Sequence, residues 1–178
     1  AEALRRVPHI EHVNPSTQGN ADVEAGGKSR RVTVYGVGHE MAETFRMKVQ
    51  SGNFLPPDDP RAARAFVVLG AKVKQELFGA ESALGQRLRI GGMQFRIVGV
   101  MAPKGQFLGM DLDDTVFIPT ARALELYNRE GLMRIQLTYR EGLQAGAVGY
   151  LIKPFDPMTL CDQIRAILKE KDSSGGPR

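Results

Sequence analysis

The sequence predicts an α+β fold in which antiparallel hairpins are mixed with short helices. Three observations carry this expectation. Leu88 and Ile90 alternate with Arg87 and Arg89, Gly91-Gly92 follows, and Met93, Phe95 and Ile97 then alternate with Gln94 and Arg96. Two alternating runs joined by two glycines predict a hairpin with a primed turn, which needs positive φ at both turn residues. Upstream, Val67, Val68 and Leu69 read as a short buried strand. Gly70 then leads into a helix with Val73, Leu77 and Phe78 on one side, ended by Gly79. Near the end, Asp156 and Pro157 start a helix whose apolar stripe is Leu160, Cys161, Ile164, Ile167 and Leu168. Mixed elements with antiparallel hairpins indicate the α+β class.

The remaining elements follow in order. Residues 1–6 read as the end of a helix, stopped at Val7-Pro8 because the residue before proline disfavours helix. Residues 9–13 alternate as a strand, 15–20 read as a turn-rich loop, and 21–25 as a short strand. Gly26-Gly27 turns the chain into a strand over 28–37, with Val32, Val34 and Val37 apolar. A short helix is expected over 39–45 and a strand over 47–50. Ser51-Gly52-Asn53 reads as a turn, and the proline-rich stretch 56–60 as a loop or helical turn. After the Gly91-Gly92 hairpin, 115–118 is a strand, Pro119 opens a helix over 121–127, and 133–139 is a strand. Residues 173–178 read as a flexible tail, and no internal repeat or low-complexity block is seen.

Bulk composition bounds the function. The 178 residues suit one domain with an insertion, or two small ones. The chain is 42% hydrophobic and 25% charged, which is enough for a core and excludes a disordered or fibrous class. The net charge of +4 comes from scattered cations interleaved with acids. No basic stripe is interleaved with aromatics, so no nucleic-acid partner is expected. Cys161 is the single cysteine, so no intrachain disulfide is possible, which does not exclude the periplasm. No apolar run approaches the roughly 18 residues of a membrane span, and no signal peptide is seen. The chain reads as soluble, which an excised part of a membrane protein would also be.

Several motifs were weighed for chemistry. Gly27-Lys28-Ser29 looks like the end of a phosphate-binding loop, but Asp22 stands where that loop needs glycine, and two strands flank it. It reads as a turn, so nothing suggests ATP hydrolysis here. Gly36-Val37-Gly38 lacks the third glycine of a dinucleotide fingerprint. His9 and His12 fall on opposite faces of a strand, and His39 is the one histidine besides, too few for a zinc site. Asp111, Asp113 and Asp114 form an acidic loop. A cation site is one reading and a loop that caps neighbouring amides is the favoured one. Ser51, Ser82 and Cys161 have no evident partner base. No catalytic, cofactor-binding or metal residue is nominated, and no cofactor is expected.

Nine short segments in order resemble the extracytoplasmic, periplasmic core domain of MacB-type ABC transporter permeases (the MacB/FtsX/LolC-like group). They are 8–13, 34–37, 52–55, 67–70, 77–79, 85–92, 95–100, 103–105 and 113–119. Each is weak alone; order and spacing make the resemblance specific over about residues 1–141. It implies a porter-like αβ subdomain from both chain ends, 1–55 and 120–172, with an inserted β-rich subdomain at 56–119. It implies a domain on the extracytoplasmic face of the cell membrane that is not an enzyme. It would pass the effect of cytoplasmic ATP hydrolysis to the periplasmic side. Implied partners are the transmembrane helices and ATPase of its own transporter. A periplasmic adaptor, an outer-membrane channel or a lipoprotein could join them. The isolated domain is expected to be monomeric.

One segment departs from that pattern. Residues 143–172, in which a strand ends in Lys153-Pro154-Phe155-Asp156 and a helix follows, are similar to the last strand and helix of a response-regulator receiver domain. The receiver's other parts are missing, so this resemblance implies a chimeric C-terminus, with a signalling module using Lys153 as the alternative function.

Overall fold

Two glycine pairs set the architecture. Gly26 and Gly27 have φ of 55° and 76°, and Gly91 and Gly92 have 53° and 87°, the left-handed conformation that primed hairpin turns require. The structure is a computed structural model that describes residues 10–58, 63–107, 109–128, 134–141 and 144–152. The first glycine pair joins β1 (Ile10–Ala25) to β2 (Lys28–Val37), and the second joins β5 (Arg87–Ile90) to β6 (Met93–Met101). Between them lie α1 (Met41–Thr44), β3 (Val49–Gly52), β4 (Phe66–Leu69) and α2 (Ala71–Phe78). After them come β7 (Gln106–Phe107), β8 (Met110–Asp111), β9 (Thr115–Pro119), α3 (Thr120–Leu126), β10 (Arg134–Glu141) and β11 (Gln144–Ile152). The α+β class expected from the sequence is the class observed. Among the described residues, no helix is long and apolar enough to cross a membrane.

Six of these strands close on themselves. β1 pairs β2, β2 runs parallel to β9, β9 pairs β4, β4 runs parallel to β6, β6 pairs β5, and β5 returns to β1 through Val23–Ile90 and Glu24–Arg89. The ring is filled by side chains, as small barrels are. Val23, Val34, Leu69, Leu88, Ile90, Ile97 and Val116 are each at most 1% exposed, and α2 adds Val73, Leu77 and Phe78 to the same cluster. A second core lies on the outer face of β2, β9 and β4. There Tyr35, Val68 and Phe117 pack with Met41, Met47, Leu55 and Leu112. Burial on both faces explains why β4 and β9 are continuous apolar runs rather than alternating ones.

Outside the ring, β10 pairs the first half of β1, β11 pairs β10, and β3 pairs β6. The hairpin at 87–97 and the strand–helix pair at 66–79 lie where expected, as does the strand at 28–37. The turn-rich loop expected at 15–20 is corrected: those residues continue β1 without a break. Pro15 sits where β10 alone flanks the strand, since pairing with β2 begins only at Thr17, so its missing N–H disrupts no second ladder. The turn expected at Ser51-Gly52-Asn53 is also corrected. Ser51 and Gly52 pair with Val100 and Gly99, after a register shift that follows Val49. The helix expected over 39–45 is the single turn Met41–Thr44. The helical ends at 1–6 and 156–172, and the tail 173–178, lie outside the described residues.

Candidate functional site

Among the described residues, the densest polar arrangement is the acidic loop between β8 and β9, docked against the start of α2. It begins with a helix whose own sequence supplies no cap. Gly70 occupies the N-cap position and has no side chain to accept the free amides of the first turn. The carbonyl of Asp113 accepts from the N–H of Lys72 at 3.0 Å and of Val73 at 3.3 Å instead. Gly70 also donates its N–H to the Thr115 carbonyl at 2.8 Å. The loop backbone therefore terminates the helix in place of a capping side chain.

The three carboxylates divide the remaining work. Asp111 Oδ1 accepts from the N–H of Asp113 and Asp114, at 3.1 and 3.3 Å. Asp113 accepts from the N–H of Lys104 and Gly105, at 2.8 and 2.9 Å. Asp114 faces the other way. It takes two donors of the Arg30 guanidinium, Nε at 2.9 Å and the Nη2 group, with Lys72 Nζ at 3.1 Å. Arg30 also pairs with Glu76. One arginine of β2 thus ties the acidic loop to α2. Two of the carboxylates cap backbone amides, as the favoured reading of this loop expects. Among the described residues, no group of three His, Cys, Asp or Glu is arranged to hold a metal ion.

Burial pushes the Asp114 carboxyl up, but hydrogen bonds and charge from Arg30 and Lys72 outweigh it and hold it below its ordinary 3.8. A carboxylate with a lowered folded pKa contributes stability that is complete above its unfolded pKa. That contribution is lost as pH falls through the folded value. Asp114→Asn is therefore expected to cost about 1–2 kcal/mol near neutral pH, as a charged, partly buried hydrogen-bond acceptor. Urea unfolding of both forms measures it. The difference should be level above about pH 5 and shrink below about pH 4. A difference that stays constant down to about pH 2 would show that the charge of Asp114 is not what stabilises.

The other candidates scatter. Gly27-Lys28-Ser29 is the hairpin turn and the start of β2, and Gly36-Val37-Gly38 is the end of that strand. His39 stands 3.7 Å from Glu40, and His12 lies in β1. Ser51 is in β3 and Ser82 in the loop after α2, far apart in the chain order and in different elements. His9, Lys153 and Cys161 lie outside the described residues. Sequence reasoning found the acidic loop but missed Arg30, Lys72 and Glu76 as its partners. Lys72 and Glu76 are four apart on α2 and so share a face, which was the legible half of the signal.

Comparison with known proteins places the geometry in context. The family described as the MacB-like periplasmic core domain matches residues 1–154. The match therefore runs through the strand part of the receiver-like segment, where β11 is antiparallel to β10 at the edge of the sheet. The chain is 33% identical over 123 residues to the pyoverdine export ATP-binding/permease protein PvdT of Pseudomonas entomophila (strain L48), covering 68% of this chain and 19% of that protein. It is 29% identical over 119 residues to the macrolide export ATP-binding/permease protein MacB of Shewanella sp. (strain W3-18-1), covering 67% and 18%. The chain spans about a fifth of the length of these relatives. The fold is similar to the extracellular domain of the noncanonic ABC-type transporter YknZ from Gram-positive bacteria. There the TM-score is 0.69 at 16% identity, over 93% of this chain and 74% of that one. It is also similar to the periplasmic region of MacB from Actinobacillus actinomycetemcomitans, with a TM-score of 0.64 at 20% identity, over 96% and 71%.

Proposed function

The chain belongs to the MacB-like periplasmic core domain family, and from that premise we propose that it relays movement within an ABC-type export permease on the extracytoplasmic side of the membrane. The observation that carries this reading is the single strand β1. It has 16 residues, about 50 Å at the usual rise per residue. Its first half is hydrogen-bonded to β10 and its second half to β2 and β5. A displacement applied to the β10–β11 side therefore reaches the closed ring through continuous strand backbone, with no loop to absorb it. This is rigid-body transmission of the kind that hinged and rocking assemblies use.

In this reading the domain performs no chemistry of its own, and ATP is used elsewhere in the transporter. Its partners are the transmembrane helices and ATPase of that transporter, with an adaptor, a channel or a lipoprotein meeting it outside the membrane. The alone-standing domain is monomeric. The two parts that the resemblance implies, 1–55 with 120–172 and 56–119, share the β2–β9 and β1–β5 pairs, so in this reading they move together as one body. The direct test is to read the encoding gene outward from both ends of this sequence. The proposal expects apolar segments of about 20 residues on each side. A frame that encodes no such segment on either side would overturn it.

A further inference from the structure

The outer face of the β5–β6 hairpin carries a charge arrangement that the fold does not need. Leu88 and Ile90 point into the core, which turns Arg87 and Arg89 outward. On the neighbouring strand Gln94 and Arg96 are outward for the same reason. The register sets Arg87 directly opposite Arg96. Like charges directly opposite each other destabilise a sheet. Beside them the β1–β2 turn, with Glu24, Gly26, Gly27 and Lys28, closes one side of a cleft of about 370 Å³ that Arg87 and Arg89 line from the other. Glu24 is the one carboxylate of the cleft, set against three cations, and it is paired in register with Arg89. Among the described residues, Lys28, Arg87, Arg89 and Arg96 enter no ion pair, as is also true of Arg46, Lys48 and Lys74, but only here do the cations share one face of a hairpin and one cleft.

We infer that this face is a docking surface for an extended acidic segment of a partner protein. Charge complementarity selects an anion, and spacing selects its form. Arg87 and Arg89 are two residues apart on a strand, about 6.7 Å along it. Carboxylates at alternate positions of an extended peptide repeat at the same distance, so that one carboxylate can meet each arginine. The cost of an uncompensated arginine pair is recovered when carboxylates arrive between them. The inference does not rest on the transporter reading, which uses β1, so either can fail alone.

The test uses the whole chain and a fluorescein-labelled six-residue peptide with glutamate at alternate positions, followed by anisotropy at low salt. Saturable binding is expected, weakened at least tenfold by Arg87→Gln with Arg89→Gln and unchanged by the distant Lys48→Gln. No binding, or equal binding by the double variant, would overturn the inference. Equal competition by inorganic phosphate or by phosphatidylglycerol vesicles would overturn the choice of a peptide. A melt provides the second reading. Arg87→Gln should raise Tm by about one to three degrees by relieving the opposed pair. A lower Tm would mean that the arginines serve the fold and not a partner.

Discussion

Phe117→Ala is expected to destabilise the domain by about 3–5 kcal/mol, the range for emptying a fully buried aromatic site. Phe117 is completely buried in β9, the strand between β2 and β4. Its ring lies 6.2 Å from that of Tyr35, nearly stacked, and 5.9 Å from that of Phe54, tilted. Such pairs add to the area term. The neighbours come from β2, β4 and the 41–55 segment, so no single side chain can move in to fill the space. Urea unfolding should show a lower midpoint with an unchanged slope. At this chain length the loss corresponds to roughly 6–20 °C in Tm. A loss under about 1 kcal/mol would mean that the second core is not packed as described.

Gly70→Ala is the second large effect, for a different reason. Gly70 has ordinary φ and ψ of −67° and 155°, so backbone freedom is not why glycine stands there. Space is. A β-carbon would lie 2.4 Å from the Asp113 carbonyl oxygen and 2.5 Å from that of Leu112. Both are backbone atoms and cannot rotate away. The loop must retreat, and it would take with it the carbonyl that terminates α2. Overpacking and the lost cap together give about 2–4 kcal/mol. Hydrogen exchange separates the two contributions, since the Lys72 and Val73 amides should lose protection beyond the global change. If those amides keep their protection, the Asp113 carbonyl is not what caps the helix.

The hairpins were legible because glycine pairs between alternating runs have one economical conformation. The class followed from them. The continuity of β1 from Ile10 to Ala25 was not legible, because Pro15, Ser16 and Gly19 carry turn chemistry locally. Tertiary pairing on two different edges overrides it. The short hairpin Gln106–Asp111 escaped notice because two-residue strands have no periodicity to read. Closure of the ring was hidden for a related reason. It depends on Val23 and Glu24 meeting Ile90 and Arg89, 67 and 65 residues further along the chain, and nothing local marks such a pair. At the acidic loop the carboxylates were visible and their capping role was inferred. Arg30 was not, because an arginine on an exposed strand position looks the same whether it meets solvent or Asp114 from 84 residues away.

The central claim is that the domain moves as one body when the transporter cycles. Spin labels in the full-length permease in lipid nanodiscs test it most directly. One pair would be placed at Ser29 and Gln50, on β2 and β3 within this domain. A second distance would run from Gln50 to a labelled lipid headgroup. On adding a non-hydrolysable ATP analogue, the internal distance should stay the same while the distance to the bilayer shifts. An internal distance that changes, or a distance to the bilayer that does not, would contradict movement of the domain as one body.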